Sequence, residues 1–225
     1  MIGNRDALQG ALLSFDENKA NQVLEEVFAV YGLEPVAEHI IAPAMIQVGD
    51  LWHHGKASTT AEHFASNYLR RKLDAIINAA PKPAWGRLIV LGCAPEDWHE
   101  LGLQLLHLML RRRGLNSIYL GQNVPVAQFV EEMARLRPAM VIIAATIAET
   151  VPGLVALGDA VMTMAPPRPI FAYGGRIFNV QPEVRTAIPG IFLGESARAA
   201  SDYVNALVSA ASVSGLGHRL SNIQD

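Results

Sequence analysis

Near residue 80 the spacing of apolar residues changes, and that change restricts the chain to a helical part followed by alternating strands and helices. Before the change, apolar residues recur at helical intervals. Leu8, Leu12 and Phe15 mark a first helix, and Val23, Leu24, Val27, Phe28 and Tyr31 a second, with Gly32 placed to stop it. Glu34-Pro35 opens a third with a face through Val36, Ile40, Ile41, Val48 and Leu51, ended by Gly55. A fourth starts at Thr59 and carries Phe64, Tyr68, Leu69, Leu73, Ile76 and Ile77. Four helices with short connections predict an antiparallel bundle over residues 1–80. Pro81-Lys82-Pro83-Ala84-Trp85-Gly86 reads as a linker. Beyond it, from 87 to 225, short apolar runs at Leu88–Leu91, Ser117–Leu120, Met140–Ala144, Pro169–Ala172 and Gly190–Leu193 alternate with helical patterns. Such an alternation predicts an α/β fold: an open, five-stranded parallel sheet with helices on both faces.

Composition excludes several classes. A formal net charge of −3 gives no nucleic-acid footprint. The triplets Arg70-Arg71-Lys72 and Arg111-Arg112-Arg113 read as solvated faces near helix ends. The single cysteine, Cys93, closes an apolar run and reads as a buried, inert thiol, which fits a reducing cytoplasm. No signal peptide and no membrane-spanning apolar run are visible, so a cytoplasmic protein without membrane contact is expected.

In an open α/β sheet, ligands gather outside the carboxyl ends of the strands. The loop after the first strand reads Gly92-Cys93-Ala94-Pro95-Glu96-Asp97-Trp98-His99-Glu100-Leu101-Gly102. A carboxylate at Asp97 can accept a hydrogen bond from Nδ1 of His99 and leave Nε2 for a metal. Gly102 lets a bulky planar ligand approach the backbone. Asp97 could instead simply cap the following helix, with His99 near solvent.

Asp97-x-His99-x-x-Gly102 resembles the D-x-H-x-x-G motif of cobalamin-binding domains of Rossmann-like or flavodoxin-like fold. The resemblance implies that His99 is the lower cobalt ligand and that the displaced nucleotide tail lies in a groove along the sheet. Two further signatures follow in order. Thr146-Ile147-Ala148 stands for the family's Ser-x-Leu, keeping the hydroxyl but losing the leucine. Gly174-Gly175 stands for its Gly-Gly. By this resemblance Thr146, Gly174 and Gly175 border the tail.

A second pattern lies in the helical part: Trp52, nine residues, then Glu62-His63. Each has an ordinary explanation. Trp52 could be a core aromatic, Thr59-x-x-Glu62 a capping box and His63 an interface histidine. Together they resemble the helical bundle of the CarH family of light receptors. The resemblance implies that Trp52, Glu62 and His63 enclose an adenosyl group above the cobalt. It also implies that His53, or His54 beside it, replaces that group after light breaks the cobalt–carbon bond. The cofactor implied is adenosylcobalamin.

The CarH family normally begins with a MerR-type DNA-binding domain, whereas here the helical pattern starts within about ten residues of Met1. No direct DNA binding is therefore expected. The expected function is a light sensor without catalytic turnover, a homo-oligomer that signals to a protein partner such as a transcription regulator. The competing readings are a corrinoid carrier for a methyltransferase and a light-independent cobalamin sensor.

Overall fold

The computed structural model describes residues 1–80 and 86–221, so the expected linker from Pro81 to Trp85 lies outside the described residues. The chain divides into two compact units, Met1–Ala79 and the remainder from Ala80.

In the first unit, α1 (Ile2–Leu13) buries Leu8, Ala11 and Leu12. Helix α2 (Glu17–Val30) buries Ala20, Val23, Leu24 and Val27, the spacing of one helical stripe. Asp16 caps α2 by accepting from the Lys19 amide at 2.9 Å. Phe15, expected on the core face of α1, instead lies past its end at φ 61° and is 48% exposed. The Asp16 amide donates to the Ala11 carbonyl at 2.9 Å, so Phe15 takes the left-handed position that closes a helix and that glycine usually fills. Its ring meets Phe64 at 5.2 Å. Gly32, expected to stop α2, instead precedes α3 (Leu33–Val36) with φ −66° and ψ 170°.

Helix α3 runs through a wide π turn, Ala37–Ile41, into α4 (Ala42–His53). The Ala42 amide donates to the Ala37 carbonyl, five residues back. Pro43 supplies the reason, because it has no amide hydrogen for the His39 carbonyl and its ring crowds that carbonyl in a regular α turn. Helix α5 (Thr59–Ala79) buries Ala61, Ala65, Tyr68, Leu69, Leu73 and Ile77 along one face. The Tyr68 hydroxyl donates to Asn21 Oδ1 of α2 at 2.7 Å.

The second unit carries five parallel strands: β1 (Ile89–Cys93), β2 (Ser117–Tyr119), β3 (Met140–Ala144), β4 (Ile170–Gly174) and β5 (Ile191–Phe192). Their order across the sheet is β2-β1-β3-β4-β5. Strands β1 and β3 are buried throughout, which explains their unbroken apolar runs. Helices α7 (Val126–Leu136) and α8 (Val151–Met162) cover one face through Phe129, Met133, Leu154 and Leu157. Helices α6 (Leu101–Arg112) and α10 (Ala197–Ser221) cover the other through Leu103, Leu106, Ala200 and Val204. A short α9 (Ile177–Val180) follows β4.

Strands β1 and β4 run two residues further than their apolar runs suggest, because Cys93, Ala144 and Gly174 pair in one row across three strands. Arg111, expected on a solvated face, is buried and donates to the Ala80 carbonyl at 3.3 Å. No helix among the described residues is long and apolar enough to cross a membrane.

Candidate functional site

Strand order reverses between β1 and β3, and the loops that leave these two strands meet at that point. Asp97 sits between them, fully buried. Its Oδ1 accepts from the His99 amide at 2.9 Å and faces His99 Nδ1 at 3.0 Å. Its Oδ2 accepts from the Thr146 amide at 2.6 Å and the Thr150 hydroxyl at 3.3 Å. A buried carboxylate needs several donors, and this one has them from both loops. Asp97 is therefore not a helix cap: Glu100 stands at the start of α6 and makes no capping bond with its side chain. With Nδ1–H given to Asp97, the ring's lone pair is on Nε2, and the imidazole is half exposed.

A second layer holds the loop. Asn123 Oδ1 accepts from the Glu96 amide at 2.9 Å, the Asn123 amide donates to the Asp97 carbonyl at 3.1 Å, and Gln122 Nε2 donates to the Trp98 carbonyl at 2.7 Å. Thr150, Gln122 and Asn123 escape a reading by motif, since their roles depend on the loops converging. The demand of a buried Asp97 for donors was the available signal.

Beside the loop, a Cβ built on Gly102 or on Gly174 meets nothing within 4 Å. Nothing in the protein itself requires a missing side chain at either position, so both glycines border open space. Gly175 differs: its φ is 120°, and a Cβ there would lie 2.0 Å from the Ala145 carbonyl oxygen. The structure thus brings Asp97, His99 and Thr146 into direct contact and sets Gly174 and Gly175 against Ala145.

Behind the loop, Cys93 is buried, and loss of solvation pushes its thiol well above the ordinary value, as expected of an inert cysteine. The Tyr119 hydroxyl donates to Glu100 at 2.7 Å, and burial raises its pKa too. His107 stacks on Tyr119 and meets Ser117 Oγ at 3.1 Å; burial lowers its pKa to about 4.

The remaining sequence-derived residues belong to the helical unit, where α4 turns into α5. Trp52, in the last turn of α4, is 42% exposed and so is not a core aromatic. Its Nε1 donates to Thr59 Oγ1 at 3.1 Å. The expected capping box is not formed: Ser58 caps α5, its Oγ accepting from the Ala61 amide at 3.1 Å. Glu62 therefore serves other partners, accepting from Ser66 Oγ at 2.5 Å and facing His63 Nδ1 at 2.9 Å. The His63 side chain is 70% exposed. His53 ends α4, and its ring lies 5.6 Å from that of His54, whose Nδ1 faces the Asp50 carbonyl at 2.6 Å.

Two family models cover most of the chain, each described as a B12 binding domain: one matches residues 5–77, the other residues 87–204. The chain belongs to the B12-binding family and binds cobalamin. It is 33% identical over 137 residues to the HTH-type transcriptional repressor CarH of Myxococcus xanthus, covering 61% of this chain and 46% of the repressor. It is 24% identical over 149 residues to dimethylamine corrinoid protein 1 of Methanosarcina acetivorans, covering 65% of this chain and 70% of that protein. The chain thus spans about half the length of the repressor it matches. Its fold is that of the Methanosarcina barkeri monomethylamine corrinoid protein, with a TM-score of 0.73, 17% identity and coverage of 90% of this chain and 97% of that one.

The residues fit the group. Open space beside Gly102 and Gly174 gives room at the carboxyl ends of the strands. Among the described residues, no three His, Cys, Asp or Glu side chains gather as a metal site. A metal held by one imidazole must arrive with most of its ligands already in place, and a corrin does this for cobalt.

Proposed function

We propose that the chain is a cobalamin-dependent light sensor that holds adenosylcobalamin through His99. Residues 1–80 cover the upper face, and residues 87–225 bind the lower face and the tail. Adenosylcobalamin, when bound, supplies a cobalt–carbon bond that visible light can break. Everything else is the work of the chain. Asp97 holds the His99 ring and its tautomer, Gly102 leaves room for the planar ring, Thr146 offers a hydroxyl to the tail, Gly174 leaves room for it, and Gly175 keeps the backbone close against Ala145 at its border. Trp52, Glu62 and His63 enclose the adenosyl group, and His53, or His54, offers a second imidazole at the same end of the helical unit.

One observation carries this reading. At the α4–α5 turn an indole and an imidazole stand exposed, while Glu62 is released from helix capping by Ser58. An indole and an imidazole exposed at one turn offer a large aromatic upper ligand two flat surfaces to pack on. Contacts made to such a ligand disappear when it leaves, and their loss is the differential energy that moves a conformational or assembly equilibrium. The output is a change of conformation or of homo-oligomeric assembly, read by a protein partner such as a transcription regulator in the cytoplasm, without catalytic turnover.

The test is to load the protein with adenosylcobalamin in the dark and record its absorption spectrum and mass in solution before and after illumination. Both should change; a spectrum and mass indifferent to light would overturn the proposal. The similarity to the dimethylamine corrinoid protein supports a second reading, a methyl carrier. A carrier would take methylcobalamin in preference and pass its methyl group to a partner methyltransferase.

A further inference from the structure

We propose that Thr59 is a positioning residue that fixes the Trp52 indole and thereby selects a purine-bearing upper ligand over a small hydrated one. This rests on the reading of Trp52 as the cover of the upper face. Trp52 is 42% exposed, so core packing does not hold its ring. Its Nε1–H donates to Thr59 Oγ1 at 3.1 Å, seven residues on and across the turn.

The acceptor is itself well placed. Thr59 begins α5, where helix capping often claims a hydroxyl, yet Ser58 does that work through its Oγ and its carbonyl, which take the Ala61 and Glu62 amides at 3.1 Å each. The hydroxyl of Thr59 is thus available to the indole, and its β-branch restricts where that oxygen stands. The turn between them is tied down. Gly55, at φ 67°, donates its amide to the Trp52 carbonyl at 2.9 Å. The Lys56 and Ala57 amides both donate to the Leu51 carbonyl, at 2.7 and 3.1 Å.

Engaging Nε1 within the turn has a chemical consequence. Indole has one donor and no acceptor. With that donor used, Trp52 presents only ring faces and C–H edges to a ligand. Such a surface stacks on adenine and offers nothing to a water or hydroxide ligand. Without the Thr59 oxygen, the indole N–H turns toward water or the ligand, and the apolar cover is lost for part of the time.

The experiment uses the full chain and three variants: Thr59→Val, which removes the acceptor at equal size, Thr59→Ser, which restores it, and Trp52→Ala. Two quantities are read: hydrogen exchange of the Trp52 indole N–H by ¹⁵N–¹H NMR, and dark dissociation constants for adenosylcobalamin and hydroxocobalamin. A hydrogen bond of ordinary net strength predicts that Thr59→Val speeds indole exchange and weakens adenosylcobalamin binding by about 3- to 10-fold. Hydroxocobalamin binding should hold, and Thr59→Ser should restore both quantities. Unchanged exchange and affinity in Thr59→Val, or equal loss for both cobalamins, overturns the role of Thr59. If Trp52→Ala still favours adenosylcobalamin as the parent does, the cover itself is wrong and the role of Thr59 falls with it.

Discussion

The loop after β1 and the α4–α5 turn hold their side chains in opposite ways. At the loop, one buried carboxylate takes four contacts from two converging loops, and Gln122 and Asn123 brace the backbone behind it. At the turn, Trp52 is held by one side-chain hydrogen bond, and His63 stands in solvent beside Glu62. A ligand meeting the loop finds an imidazole already oriented, at little ordering cost; a ligand meeting the turn finds side chains that it can still rearrange. On the proposed reading, the loop is an anchor indifferent to the state of the upper ligand, and the turn is a cover that responds to it.

Asp97→Ala should have the largest effect on the loop. It strands the Thr146 and His99 amides and should lower stability by about 2–4 kcal/mol and cobalamin affinity about 10–100-fold. Urea denaturation and cobalamin titration measure the two. His99→Ala, by contrast, removes one donor to Asp97 and leaves it the Thr146 amide, the Thr150 hydroxyl and the backbone amide of residue 99; it should abolish the His-bound absorption spectrum and cost only about 1 kcal/mol of stability. If the two variants lost equal stability, the loop would not be organised by its carboxylate.

Acid should strike the sheet unit next. His107 has a folded-state pKa of about 4, below the ordinary 6.5. Between those values the unfolded chain binds more protons, so stability is whole above pH 6.5 and falls as the pH drops toward 4, by up to about 3 kcal/mol. His107→Phe should flatten the pH dependence of the melting temperature across that window.

A smaller effect comes with a change of sign. Gly102→Ala places a methyl group in open space on α6, so the cobalamin-free protein should gain up to about 1 kcal/mol while losing cobalamin affinity. A stabilised variant that binds as before would show that the space beside Gly102 is not used.

The change of period near residue 80 made the strands and most helices legible, because burial on both faces writes itself as unbroken apolar runs in β1 and β3. The ends of β1 and β4 were not legible, since Cys93 and Gly174 join the sheet by pairing with β3 and not by their own propensity. The spacing that places Phe15 on the first helix misses where that helix ends, since the chain reverses there at a positive φ. At the loop, the Asp97–His99 contact followed from a spacing of two residues, but its Thr146 and Thr150 partners lie 49 and 53 residues away and depend on topology. At the turn, Thr59-x-x-Glu62 matched a local motif that the neighbouring Ser58 pre-empted, a choice between adjacent hydroxyls that pattern reading does not resolve.

The wide turn at Ala37–Ile41 has a bearing on how this helix can change over evolution. Each residue advances a helix by about 100°. Dropping one residue inside the wide turn, with Pro43 exchanged for a residue that has an amide hydrogen, would return it to ordinary winding and leave Val48 and Trp52 on the sides they now occupy. Dropping one between Ala44 and Leu51 would swing the indole a quarter-turn round the axis, away from Thr59. Length variation in related chains should therefore collect before Pro43 and be absent after it.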